Sequence, residues 1–310
     1  MGAYLGIDTS NYTTSVALLD GEHILQRKKL LPVREGELGL RQSDAVFEHT
    51  RQLPALLEEC CREAPSARLA AVGFSARPRD QEGSYMPCFL AGESAARSVA
   101  AACHITAYSF SHQAGHIAAA LYSTGNMQLF ESPFICFHFS GGTTDCLLVS
   151  PDAGRVFSVE LLAASLDLKA GQAVDRVGRM LGLPFPAGAA LSALAEQSGQ
   201  EYRVRLTFRG DDVSLSGVEN RCETMLRSGA AAPDIARFCL EHICEAASRM
   251  TENALRRCGE LPLIYAGGVM CSSYIRPRLS AKYGGAFADP AFSSDNAAGL
   301  AVLAMVKELK

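Results

Sequence analysis

Hydrophobic and polar positions follow one plan twice along this chain of 310 residues. Residues 3–30, AYLGIDTSNYTTSVALLDGEHILQRKKL, predict an apolar strand, a polar turn, a β-branched strand, an Asp-Gly hairpin turn and a third strand. Residues 134–162, FICFHFSGGTTDCLLVSPDAGRVFSVELL, predict the same series with a Ser-Gly-Gly-Thr-Thr turn first and an Asp-Ala-Gly turn second. The repeat predicts two copies of a three-stranded β core.

Segments of helical periodicity follow each triplet of strands. SDAVFEHTRQLPALLEECCREA begins at residue 43 in the first half, and AVDRVGRMLGL and ALSALAEQSG begin at residues 173 and 190 in the second. A further apolar strand, PLIYA at 262–266, leads into a double glycine and another helical segment. This order predicts an α/β protein in which each of two lobes has a mixed sheet flanked by helices.

Composition narrows the classes of function without identifying one. The mass of 33.1 kDa suits two lobes, and the net charge of −4 with a pI near 6.0 argues against general nucleic-acid binding, although a local basic patch stays open. No apolar run reaches the roughly 18–20 residues of a membrane span, and MGAYLGIDTS has no signal-peptide pattern, so we expect a cytoplasmic protein. Eleven scattered cysteines without a CxxC pair then predict reduced thiols.

Two histidines lie four positions apart in SHQAGHIAAAL, residues 111–121, which the alanines predict to be helical. His112 and His116 are thus one turn apart on one face, either as ligands of a single ion or as unrelated core residues. Gln113 stands where zinc proteases of the HExxH type carry their glutamate, which argues against that activity. Asp295, before the apolar helix AAGLAVLAMV, is by its position a helix cap or a third ligand.

Turns rich in glycine or hydroxyl groups follow three predicted strands. Asp8-Thr9-Ser10 and Ser140-Gly141-Gly142-Thr143-Thr144 occupy equivalent places in the two copies. If the two tips face each other they form a nucleotide clamp, and the alternative is a pair of plain hairpins. Gly267-Gly268 suits contact with a ribose or base, or a tight turn without a ligand.

These motifs together resemble the universal tRNA threonylcarbamoyladenosine transferase family of the actin, sugar-kinase and heat-shock ATPase superfamily. The resemblance runs nearly end to end through LGIDTS, SHQAGHIAAAL, FSGGTTDCLLV, AGQAVDRVGRMLGLPFPAGAALSALA, DDVSLSGVEN, AGGVMCSS and SSDNAAGLA. It implies two actin-like (ribonuclease H-like) lobes with a nucleotide cleft between them. The expected first lobe is 1–125 with a C-terminal helix, 295–310, packed back on it, and the second is 126–294.

The resemblance also implies a site and an activity. Carried over position by position, it implies one divalent metal, iron or zinc, bound by His112, His116 and Asp295. It also implies an adenine nucleotide whose phosphates contact Ser140, Gly141 and Gly142, with Thr143 beside them. The ribose would contact Asp175, the sugar or base Gly188, and the purine Gly268, with Ser272 beside it. The implied enzyme is an acyltransferase that moves a threonylcarbamoyl or carbamoyl group from a mixed anhydride with AMP to an acceptor, the adenosine of tRNA in the family. The implied partners are tRNA, a paralogous actin-like subunit and a P-loop ATPase, without a membrane.

The chain departs from the family at positions that carry acids or other polar groups. Tyr12-Thr13 replaces an acidic pair, Ala114 and Gln172 replace glutamates, Thr143 replaces a histidine, Ser272 replaces an asparagine, and ARPRDQEGSYMP replaces a Gly-Pro-Gly turn. No catalytic residue is therefore assigned. Four functions stay open: the tRNA transferase, a carbamoyltransferase for another acceptor, a non-catalytic nucleotide-binding partner of a paralogous transferase, and a kinase or ATPase using Asp8, Asp145 or Asp175.

Two groups of arginines suggest contacts with anions. Arg77, Arg79 and Asp80 in SARPRD suit an anionic substrate or a solvated loop. RVRLTFRG predicts a strand with Arg203, Arg205 and Arg209 along it, either against tRNA backbone or facing solvent. Cys239, His242 and Cys244 have a spacing that suggests zinc, but a buried helix face explains them better.

Overall fold

A computed structural model describes residues 2–10, 12–32, 40–294 and 297–310. Contacts between Cα atoms divide the chain into two compact units. Unit 1 comprises 1–127, 152–156 and 294–310, and unit 2 comprises 128–151 and 157–293.

The two predicted β cores and the helices after them are present. Within the described ranges the strands are β1 (Ala3–Asp8), β2 (Thr13–Asp20), β3 (His23–Leu30), β4 (Leu69–Arg77), β5 (Thr106–Ser111), β6 (Phe134–Phe139), β7 (Thr144–Asp152), β8 (Val156–Ala164), β9 (Thr207–Arg209), β10 (Asp212–Ser214), β11 (Leu263–Ala266) and β12 (Ala286–Phe287). The α-helices there are α1 (Gln42–Glu63), α2 (Phe89–Cys103), α3 (His112–Ser123), α4 (Ala170–Met180), α5 (Gly188–Ala195), α6 (Ser216–Arg227), α7 (Ala232–Cys258), α8 (Ile275–Tyr283) and α9 (Ala298–Leu309), with short 3-10 turns at Met127–Glu131 and Pro290–Phe292.

Unit 1 is built on a five-stranded sheet in the order β3-β2-β1-β4-β5. The predicted triplet is antiparallel, with Ile7 opposite Val16, and Gly21 takes a φ of +61° at the Asp-Gly turn, a region that favours glycine. β4 and β5 add to β1 in parallel. This mixed sheet confirms the α/β class for the first copy.

Unit 2 repeats that topology in the order β8-β7-β6-β11-β12. β6 and β7 are antiparallel, with Phe137 opposite Cys146, and the predicted strand PLIYA forms β11 parallel to β6. Large apolar side chains from α4 to α8 cover the sheet in one continuous core that includes Phe139, Val177 and Ile243. The duplicated plan of the sequence is therefore a duplicated sheet.

Helices cover both faces of the sheet in unit 1. Leu5, Ile7 and Phe74 pack into an apolar cluster with buried residues of α1 and α2. The alternate positions, Gly6 and Gly73, face α9. A Cβ at Gly6 would lie 2.8 Å from the backbone nitrogen of Ala301, so the missing side chains let the α9 backbone lie directly on the sheet.

Two predicted features differ from the structure or fall outside it. Within RVRLTFRG only Thr207–Arg209 is a strand, because the short partner strand β10 pairs with these three residues alone. Asp295 lies outside the described residues, and the cap of α9 is Ala297, which makes no side-chain capping bond.

Two further findings concern the cysteines and the length of the helices. All eleven cysteines are free thiols. In the described part of the chain, no helix combines the length and apolarity that a membrane crossing needs.

Candidate functional site

Helix α3 begins at the first histidine because two groups satisfy its free N–H groups there. Ser111 is the cap, and its Oγ accepts a hydrogen bond from the Ala114 N–H at 3.2 Å. The carbonyl oxygen of Pro78 accepts the Gln113 N–H at 3.1 Å. His112 is therefore fixed in the first turn of the helix, and His116 follows one turn later on the same face.

The two imidazole rings meet through their Nε2 atoms, which lie 2.9 Å apart. The rings stand nearly perpendicular, at 78°, with centroids 4.4 Å apart, and His116 is buried. Two nitrogens bound to one ion at about 2.0–2.1 Å lie about 2.9 Å apart at a right angle and about 3.3 Å apart at a tetrahedral angle. The histidine pair therefore fits two adjacent positions around one metal ion.

Asp8, at the end of β1, holds the first of these rings. Its carboxylate is fully buried and accepts hydrogen bonds from the hydroxyls of Ser10 and Ser75, at 2.8 and 2.5 Å. Its Oδ2 also lies 3.0 Å from Nδ1 of His112. A carboxylate on the far nitrogen of a ligand histidine fixes the ring and its tautomer. The sequence suggested Asp8 as part of a turn for a nucleotide clamp and as a candidate for kinase chemistry, but not as a partner of His112; its signal was an acid at the end of an apolar strand.

The third predicted ligand is Asp295, outside the described residues. In the described part of α9 and its cap, Ala297 and Ala301 face Gly6, two residues before Asp8. Ser294 accepts a hydrogen bond from Lys28 at 2.7 Å. Among the residues that the structure describes, no three His, Cys, Asp or Glu side chains are arranged to hold an ion. The ligand set of two histidines and Asp295 thus stays a prediction.

In unit 2, the predicted phosphate loop is a tight connection between β6 and β7. Ser140 and Thr143 close it with two hydrogen bonds, from the Ser140 N–H to the Thr143 oxygen at 2.8 Å and from the Thr143 N–H to the Ser140 Oγ at 3.2 Å. Gly141 and Gly142 at its tip are exposed. Their two N–H groups donate to no other group in the described ranges, so the loop offers adjacent donors to an anion.

The other predicted nucleotide residues of unit 2 are connected to this loop. The Gly171 N–H of α4 bonds the Ser140 oxygen at 3.0 Å, and the Ala187 N–H bonds Asp175 Oδ1 at 2.9 Å. The hydroxyls of Ser192 and Ser272 lie 2.8 Å apart.

The Val269 N–H completes the series by bonding the Phe139 oxygen at 3.1 Å. Hydrogen bonds thus connect the phosphate loop, α4, α5 and the double-glycine turn in a closed ring, which we call the unit 2 ring.

The glycines of the ring fall into two kinds. Gly267 takes a φ of +92°, and Gly171 packs so tightly that a Cβ there would lie 2.5 Å from the Gly141 nitrogen. Both are required by the fold. Gly188 and Gly268 have nothing within 4 Å of an added Cβ, so the fold leaves open space beside them. That space is where the resemblance expects a sugar and a purine.

Positions at which the family carries acids hold groups with structural roles. Ala114 is a buried methyl group, and Gln172 accepts the Lys169 N–H at 3.3 Å in the first turn of α4.

Asp80, which the sequence suggested for an anionic substrate together with Arg77 and Arg79, bonds both Arg77, at 2.6 Å, and the Ser111 hydroxyl, at 3.0 Å. Arg77 and Asp80 thus neutralise each other and support the start of α3.

The spacing Cys239, His242, Cys244 forms part of a buried helix face. All three side chains are buried on α7, where burial lowers the pKa of His242 and raises the pKa of Cys244 to about 12.

Comparisons with known proteins agree with these motifs. The family model for tRNA N6-adenosine threonylcarbamoyltransferase matches residues 34–302. The enzyme of that name from Carboxydothermus hydrogenoformans is 30% identical over 285 residues, which are 88% of this chain and 80% of the relative.

Two solved structures share the fold. Component A of the Acidaminococcus fermentans (R)-2-hydroxyglutaryl-CoA dehydratase has a TM-score of 0.58 at 19% identity, over 100% of both chains. Full-length HypF, in a phosphate- and nucleotide-bound form, has a TM-score of 0.61 at 12% identity, over 99% of this chain and 46% of its own. At these identities the two structures show the fold alone.

Proposed function

Because this chain belongs to the tRNA N6-adenosine threonylcarbamoyltransferase family, we propose that it transfers a threonylcarbamoyl group from a mixed anhydride with AMP to the adenosine of a tRNA. The observation that carries the proposal is the pair of Nε2 atoms, 2.9 Å apart, with the first of the two rings held by a buried carboxylate. The pair supports a metal-binding function in this proposal, which the tRNA acceptor and the adenylate donor would complete.

In this proposal His112, His116 and Asp295 hold one divalent iron or zinc ion. When bound, the ion would act as a Lewis acid that neutralises charge developing on oxygen during acyl transfer.

The chain prepares its own side chains for that role. A carboxylate only accepts hydrogen bonds, so the contact with Asp8 places the ring proton of His112 on Nδ1 and leaves the lone pair on Nε2. The buried serine donors keep Asp8 in place without adding charge.

We assign the nucleotide to the unit 2 ring. The free N–H groups of Gly141 and Gly142 would bind phosphate, and the second oxygen of the Asp175 carboxylate would bind the ribose hydroxyls, since Oδ1 already holds Ala187. The base would lie in the open space beside Gly188 and Gly268. All of these groups bind and orient; none is a general base.

A carbamoyltransferase for an acceptor other than tRNA is the second candidate. It is favoured by the replacement of family acids with Ala114 and Gln172, because these residues leave no titratable group at either position. A non-catalytic partner of a paralogous transferase would fit the same replacements.

The test combines metal analysis with transfer assays. Purified protein is incubated with threonylcarbamoyl-AMP and unmodified tRNA, and the digested nucleosides are analysed by mass spectrometry. We expect about one iron or zinc per chain, modified adenosine, and loss of both in His112→Ala and His116→Ala. His23→Ala, which removes an exposed imidazole from β3, is the matched control and should change neither.

Three results would contradict parts of this proposal. Full transfer by protein verified to be metal-free would refute the metal role. Carbamoylation of another acceptor, with tRNA unmodified, would favour the second candidate. Binding of the nucleotide without transfer to any acceptor would favour the non-catalytic partner.

A further inference from the structure

Three arginines form an exposed stripe in unit 2, which we call the arginine stripe: Arg203, Arg205 and Arg209. Between residues 202 and 209 exposed and packed side chains alternate. Tyr202, Val204, Leu206 and Phe208 pack against the apolar core, and all three arginines are exposed. The alternation predicted from the sequence is therefore present, although only the last three residues form a strand.

The positive charges of the stripe are not neutralised within the described part of the chain. None of the three guanidinium groups makes an ion pair or hydrogen bond there, in contrast to Arg176, Arg227 and Arg249, which pair with glutamates. Of the two acids that follow the stripe, Asp212 accepts the Ala164 N–H at 2.7 Å, and Asp211 lines a small cleft that Arg257 also lines.

The strand that carries Arg209 is attached firmly to its unit, and the packing of Tyr202, Val204 and Leu206 against the core holds the residues before it. The strands β9 and β10 pair directly, and the Leu166 N–H bonds the Val213 oxygen at 2.9 Å. Asp167 accepts the N–H groups of Leu215 and Ser216 at 2.8 and 3.1 Å. An arginine side chain on an anchored backbone loses less entropy when it binds than one on a loose loop.

The same anchor joins the stripe to the predicted phosphate loop. The Ser165 N–H bonds the Thr144 oxygen at 2.9 Å, and the Thr144 hydroxyl accepts the Ala170 N–H at 2.8 Å. Thr144 directly follows the loop. A ligand on the stripe would therefore be held in fixed relation to the loop within unit 2.

We propose that the arginine stripe binds the phosphate backbone of the acceptor RNA. Guanidinium groups form paired hydrogen bonds with phosphate, and residues two apart in an extended chain repeat every ~6.6 Å, which suits successive charges on a polyanion. The exposed hydroxyl side chain of Thr207 lies in the same row as a further donor. The inference rests on the proposed function, because it takes the acceptor to be a tRNA.

The experiment replaces the three stripe arginines by glutamine in R203Q/R205Q/R209Q. The control, R176Q/R227Q/R249Q, removes the same charge from exposed arginines that already have glutamate partners. Binding of a fluorescent unmodified tRNA transcript is measured by anisotropy across a range of salt concentrations. The logarithm of the binding constant falls as the logarithm of the salt concentration rises. Losing three phosphate contacts should make this negative slope shallower by about 2–3, and the control should keep the wild-type slope.

Measuring tRNA binding and threonylcarbamoyl transfer on the same variants separates this inference from the proposed function. Wild-type tRNA binding that depends on the stripe, without threonylcarbamoyl transfer, would support the stripe and refute the transferase. Efficient transfer to tRNA with equal salt slopes in both triple variants would refute the stripe and keep the transferase. Binding of a poly-glutamate peptide through the stripe, with no binding of tRNA, would also overturn the inference, as would a wild-type protein that binds no tRNA at all.

Discussion

Replacing Gly299 by alanine should separate the two helices on which the histidine site depends. A Cβ at residue 299 of α9 would lie 2.7 Å from the Gly115 carbonyl carbon and 2.8 Å from the Ala119 nitrogen, and closer still to the Gly115 oxygen. All three atoms belong to the backbone of α3, so no side-chain rotation relieves the overlap. The helices must move apart by about 1 Å to restore ordinary packing distances.

The loss of folding stability comes from the core residues that this movement displaces. The α9 residues Leu300, Val302 and Leu303 are almost fully buried, and overpacking of such a core costs about 1–3 kcal/mol. The better helix propensity of alanine returns at most ~1 kcal/mol. Because the overlap is with backbone atoms, the upper end of that range applies, and we expect Gly299→Ala to lower the free energy of unfolding by about 2 kcal/mol. Metal content should also fall, because α3 carries both histidines.

Gly115→Ala is the matched control from the other side of the same contact. Its added Cβ would meet only the side chain of Leu300, at 3.3 Å, which has to give by only a few tenths of an ångström. Urea unfolding should therefore show Gly115→Ala within about 1 kcal/mol of the wild type, on the stabilising side if propensity prevails. Equal stability of Gly299→Ala and the wild type, or a reversed order of the two variants, would refute this account of the contact.

Three further substitutions test other parts of the molecule. Gly268→Ala adds a methyl group to open space, so the midpoint of thermal unfolding should stay unchanged. The affinity for AMP, measured by calorimetry, should fall about tenfold. Unchanged affinity would remove Gly268 from the proposed site. Ser111→Ala removes the cap of α3 and should cost about 1 kcal/mol in urea unfolding, whereas Ser111→Thr should retain most of that stability. Burial raises the pKa of Asp167, but hydrogen bonds from Ser214, Ser216 and Leu215 outweigh it and lower the pKa to about 2. A lowered folded-state pKa stabilises the protein above about pH 4, and this contribution is lost as the pH falls towards 2. Because the group is largely exposed, Asp167→Asn should cost only about 1 kcal/mol at pH 7 and nothing near pH 2; a cost that persists at pH 2 would contradict the charge argument.

Features that depend on neighbours in the sequence could be predicted. The hairpins of both triplets, the strand β11 and the helix α3 follow from local periodicity, turn residues and capping. The pairing of His112 with His116 follows from helical spacing in the same way.

Features that depend on distant residues could not be predicted. Asp8 contacts a serine and a histidine that lie 67 and 104 positions away, and no periodicity connects them. The glycines under α9 likewise come from separate strands, and each alone is typical of a strand or a turn. The short extent of β9 was missed because strand length there depends on a three-residue partner.

The fit of α9 on the glycine positions of the sheet has a consequence for biosynthesis. Strands β1 to β5 are translated before residue 112, but the helix that covers their glycine face is translated only after all of unit 2. A domain can complete its folding only once the residues of its core have been synthesised. The glycine face of the unit 1 sheet therefore stays without its covering helix until unit 2 has been synthesised, and unit 1 completes its fold only after that point.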